Sequence, residues 1–158
     1  MFIRRFSNFV KMDNKLKCLL FEAYFTLAWA RYWKSRDFSK VAAILGKQMS
    51  ETPYFVNGNN RIILRNISSA MHMASKYAFW ESECLVKAIA GMKMLERRGI
   101  DSTIYLGTAK DVTGLIAHAW LRSGTYYLSG KEGMEKFTVV ATFANDLTSI
   151  NRKGERYG

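Results

Sequence analysis

Apolar positions recur at helical spacing through the first half of the chain and at strand spacing through much of the second. From Asn14 to about Lys34, the residues Leu16, Leu20, Ala23 or Tyr24, Leu27 and Ala30 follow the helical period, which predicts an amphipathic helix. Asp37 can cap a short second helix from Phe38 to about Leu45, with Gly46 as its stop. A loop containing Pro53 and the run Asn57 to Asn60 comes next. Between Arg61 and about Phe79, the stripe Ile63, Ile67, Ala70 or Met71, Ala74, and Tyr77 or Ala78 predicts a third helix. A fourth runs from Cys84 to Arg98 and ends at Gly99. Glycine is a natural left-handed terminator, and Arg97 and Arg98 sit at the negative end of the helix dipole.

Beyond Gly99 the period changes. STIYLGTA, LIAHAWLR, TYYLS and FTVVATFA are short, rich in β-branched and aromatic residues, and separated by Gly and Ser. Helices followed by an antiparallel sheet make an α+β arrangement. We divide the chain into an N-terminal helical region at 1–58, a core at 59–150 and a frayed tail at 151–158. No repeat or low-complexity segment interrupts it.

Composition narrows the class. At 158 residues, 49% of them apolar and with a single proline, the chain is long enough to bury a core and is not disordered. Two cysteines and two histidines exclude a disulfide framework and a zinc site, and point to a reduced, cytoplasmic compartment. The formal charge of +11 is dispersed in pairs such as Arg4–Arg5, Lys15/Lys17 and Arg152–Lys153. No zinc-finger spacing or RNA-binding aromatic motif accompanies it, so the reading is a solvated surface without nucleic acid. Leu16 to Trp33 is apolar enough to suggest a targeting segment, but Lys17, Glu22 and Arg31 interrupt it, which excludes a membrane span.

Chemistry must therefore come from the cysteines and histidines. Cys18 reads as a core thiol on the first helix, and His72, between two methionines, as a structural or surface residue. Cys84 differs because it opens a helix. Free N–H groups and the positive dipole end favour a thiolate there, and the same groups can hold an oxyanion. In LIAHAWLR, alternation puts Ile116, His118 and Trp120 on one face. A buried imidazole needs partners. A cysteine at a helix start with a histidine on a strand of the packed sheet is the layout of thiol proteases.

Taken in order, Cys84–Leu85 at a helix start, the turn Arg98–Ile100, a strand ending at Gly107 and the strand motif His118–Trp120 resemble the lasso-peptide leader peptidases. LFEAYFTLAWAR extends the resemblance into the N-terminal helices. Those enzymes are transglutaminase-like (papain-like) cysteine proteases. The resemblance implies that Cys84 is the nucleophile and His118 first its general base, then the acid for the leaving amine. It implies no cofactor and no metal. It also implies a precursor peptide of leader plus core as substrate, a separate leader-recognition protein as partner, and a macrolactam synthetase as the next enzyme. A transglutaminase-like acyltransferase and a non-enzymatic basic binding module are the alternatives.

The family supplies an Asp about a dozen residues after the histidine, and TYYLSGKEG has none. Ser129, Glu132 and Asp146 are the local substitutes. A two-residue turn at Ser123–Gly124 would pair Arg122 with Thr125 and, further along the ladder, His118 with Ser129. The Ser129 hydroxyl would then accept the imidazole Nδ1–H, so Ser129 is expected to complete the catalytic set with Cys84 and His118.

Overall fold

A computed structural model describes residues 13–55, 58, 60–78 and 83–147. The tail expected to fray lies outside those residues, as does the expected end of the third helix at Phe79. Four helices form: α1 at Asn14–Lys34, α2 at Phe38–Leu45, α3 at Asn60–Tyr77 and α4 at Cys84–Glu96. The strands are β1 at Lys47–Gln48, β2 at Ser102–Asp111, β3 at Gly114–Ser123, β4 at Tyr126–Ser129 and β5 at Thr138–Asn145. They make one antiparallel sheet in the order β1-β5-β2-β3-β4. The fold is α+β, as the periodicities predict.

Helix α4 carries the core. Val86, Ala88, Ile89, Ala90, Met92, Met94 and Leu95 are all buried, because α1 and α3 cover it from one side and the sheet from the other. A helix enclosed in this way is apolar almost all round, which is why its sequence shows a run rather than a stripe. It ends as expected. Gly99 takes the left-handed φ of 65°, and the Gly99 and Ile100 N–H groups bond back to Glu96 and Leu95.

On α1 the buried face is Ala23, Thr26, Leu27 and Ala30. Cys18 precedes Leu27 by nine residues, about two and a half turns, and so lies on the opposite side. It is exposed, which corrects the reading of a core thiol.

The sheet has two covered faces. Ile104, Ala119, Leu121, Leu128 and Phe143 join the helices in one apolar cluster. The other face carries Thr103, Tyr105, Trp120 and Arg122, and a strap at residues 49–54 crosses it. The Met49 N–H bonds to Thr142 O, and Thr52 meets the Thr103 hydroxyl through both its N–H and its own hydroxyl.

Arg122 fastens the strap. It is fully buried, and donates from Nε to Tyr105 Oη at 2.8 Å, from Nη1 to Gly124 O at 2.7 Å and from Nη2 to Thr52 O at 2.9 Å. Its guanidinium lies 3.8 Å from the centre of the Tyr54 ring. Tyr105 in turn donates to Glu51 Oε2 at 2.7 Å. Burial first, and then that carboxylate, push the Tyr105 phenol well above its ordinary pKa. Neither the strap nor the buried arginine is foreseen by periodicity, because strap and β1 are too short to show a period.

Candidate active site

Cys84 is the first residue of α4, with Glu83 as the capping residue. The cap gives no side-chain hydrogen bond, and Glu83 is instead ion-paired to Lys34 of α1. The Lys87 N–H bonds back to Glu83 O at 3.1 Å. The amides ahead of it form the electropositive first turn common to all helices. The thiol is half-buried against the edge of the apolar cluster. Cys84 therefore sits where the sequence places it.

His118 lies on β3 directly opposite Gly107 of β2. As alternation predicts, it shares a face with Trp120, whose ring centre is 5.8 Å away. Phe137 approaches to 5.0 Å. This is the strap-side face, whereas α4 packs on the face that carries Ala119 and Leu121. No hydrogen bond joins Cys84 to His118. Strand β4 pairs with β3 only from Leu121 to Ser123, so at His118 the described strand beside β3 is β2. The imidazole thus lies on the face of the sheet opposite to the one on which α4 packs.

The expected partner of His118 is not the one found. The hairpin turn consists of Gly124 and Thr125, with Ser123 opposite Tyr126 and Arg122 opposite Tyr127. The register then shifts, so that Leu121 faces Ser129. A glycine at φ 54° in the first central position suits a II′ turn, which explains the one-residue displacement of the turn. Leu128 is the additional residue of the bulge, which moves Ser129 a step further. The Ser129 hydroxyl is buried, has no hydrogen-bond partner among the described residues, and does not reach the imidazole.

Glu132 is exposed in the following turn and forms no hydrogen bond to His118. Asp146 follows the end of β5, where Asn145 pairs with Ser102, five positions from Gly107. The group that meets the imidazole is a main-chain one: His118 Nε2 lies 2.8 Å from Gly130 O. No side-chain signal marks such a partner, although Gly130 stands twelve residues after His118, where the resemblance places an Asp.

The remaining histidine, His72, is exposed on α3. Among the described residues no three His, Cys, Asp or Glu side chains gather as a metal-ligand set, and no helix is long and apolar enough to cross a membrane.

A model of the transglutaminase-like superfamily matches residues 24–142, a span that includes α4, Cys84 and the strand of His118. The chain belongs to the transglutaminase-like superfamily. No curated protein and no solved structure gives a significant match. The superfamily's scaffold commonly serves cysteine-peptidase and acyl-transfer chemistry. Its match begins inside α1, so the superfamily domain extends into the N-terminal helices.

Proposed function

We propose that this transglutaminase-like protein is a cytoplasmic cysteine peptidase that removes the leader from a ribosomally made lasso-peptide precursor. Cys84 attacks the scissile carbonyl and His118 takes the thiol proton. His118 then protonates the leaving amine, and water hydrolyses the acyl-enzyme. First-turn amides of α4 would face the developing oxyanion. The observation that carries this reading is the His118 Nε2–Gly130 O contact. A carbonyl only accepts, so the contact leaves Nδ1 as the basic nitrogen available to a thiol.

The partners proposed are the precursor, a separate leader-recognition protein that presents it, and the macrolactam synthetase that receives the core peptide. The test is mass spectrometry of a precursor incubated with the protein and a leader-binding partner. Cys84→Ala and His118→Ala are expected to lower cleavage by about a thousandfold or more with unchanged circular dichroism, and Cys18→Ala to stay active. Substantial cleavage by Cys84→Ala would sink the reading. Superfamily membership also supports acyl transfer to an amine, in which case added primary amine would appear covalently in the product.

A further inference from the structure

A carbonyl oxygen has lone pairs and no proton. The 2.8 Å contact between His118 Nε2 and Gly130 O is therefore a hydrogen bond only if Nε2 carries the hydrogen. In a neutral ring this fixes the other nitrogen, Nδ1, as the unprotonated base. The ring plane is held independently. Trp120 and Phe137 lie against the imidazole, each tilted by 32° to it. They have room to do so because the residue across the ladder is Gly107. A Cβ there would stand 2.9 Å from Phe137 Cβ and 2.9 Å from the Trp120 ring.

The carbonyl itself is placed by a conformation that favours glycine. Gly130 has φ 72°, in the left-handed region. A Cβ at this position would press on Ala119 O and come within 2.8 Å of Trp120 Cβ and 2.9 Å of Trp120 Cα. The chain is packed edge-on against β3 at the point where the carbonyl must turn toward the ring, and a side chain would push it away.

We propose that Gly130 is the positioning residue of His118, its main-chain carbonyl holding the Nε2–H tautomer in the place of a side-chain carboxylate. The consequences for turnover rest on the peptidase reading; the tautomer does not. In that reaction the Cys84 S–H proton passes to Nδ1 and then to the leaving amine, while the Nε2 hydrogen stays on Nε2, donated to Gly130 O throughout. The imidazolium formed in between is stabilised by a dipole rather than by a full negative charge.

The experiment is nitrogen-15 NMR of the full chain with labelled histidine, near neutral pH. The protein has two histidines, and exposed His72 serves as the internal reference for a ring free to average its tautomers. His118 is expected as the Nε2–H tautomer alone. The Nδ1–H form, or averaging like that of His72, would overturn the proposal.

Folded Gly130→Ala should lose the fixed tautomer, with kcat lower by about 10- to 100-fold and KM little changed. A folded variant with both tautomer and kcat intact would equally overturn it. Should the variant not fold, the wild-type spectrum decides. Absence of peptidase activity together with the Nε2–H tautomer would count against the peptidase reading and leave the role of Gly130 standing.

Discussion

Ser129 illustrates what two single-residue displacements do to a side chain. The turn is centred on Gly124–Thr125 and Leu128 bulges, so a residue expected beside His118 ends opposite Leu121 with its hydroxyl buried and unpaired. Burying a hydroxyl without a partner costs about 1–3 kcal/mol. Ser129→Ala should therefore leave stability unchanged or raise it by up to about 1 kcal/mol, and leave cleavage close to wild type. Ser129→Asp, which would complete a triad in the register expected from the sequence, should instead lose about 2 kcal/mol or more through an unpaired buried carboxylate. Urea denaturation reads both. A loss of cleavage in Ser129→Ala comparable to that of His118→Ala would return Ser129 to the site. A serine in a hairpin is legible in sequence, but the bulge beside it is not, since any residue can occupy one.

At the scale of elements, helix α4 is anchored at both ends to α1. Lys34 pairs with Glu83 before Cys84, and Arg98 donates to Glu22 at 2.9 and 2.7 Å beyond the last turn of α4, with Arg97 alongside. Hydrogen bonding from Arg98 lowers the Glu22 pKa below its ordinary 4.5, against the opposing effect of partial burial. A carboxyl more acidic in the folded than in the unfolded state adds stability that is present above the unfolded pKa. That stability is lost as pH falls through the folded one. Glu22→Gln should thus be less stable than wild type at neutral pH, with the gap closing below about pH 4.5. Thermal melts of both proteins across that range test this, and a gap independent of pH would contradict it. The helices themselves were readable because caps and periods are local: Asp37, Gly46 and Gly99 bound their elements as expected. The strap was not, since residues 49–54 take their place only from Arg122 and Thr103 on distant strands.

The whole molecule carries a net charge of +11, and several of its carboxylates are already engaged: Glu22, Glu51, Glu83, Glu96 and Asp37 each pair with a basic side chain. The excess positive charge is left to the surface, where it attracts an acidic peptide or protein and is screened by salt. Binding of a precursor leader, alone or on its recognition partner, should weaken several-fold between roughly 0.05 and 0.5 M salt, where the screening length falls from more than 10 Å toward a few ångströms. Isothermal titration at the two salt concentrations measures it. An affinity unchanged by salt would mean that apolar contacts, not the basic surface, hold the leader.

By itself the sequence determined what depends on near neighbours. It set the order of helices and strands, the opening of α4 at Cys84, its stop at Gly99, and the shared face of His118 and Trp120. Period and capping are properties of a few consecutive residues, so they survive without knowledge of the fold. Tertiary structure decided what depends on pairing across distance. It left Cys18 exposed, buried Arg122 beneath a strap with no period of its own, shifted the β3–β4 register at Leu128, and brought a carbonyl to His118 where a side chain was expected. Every residue has a carbonyl. Only the left-handed turn at Gly130, packed against Ala119 and Trp120, aims this one at the imidazole.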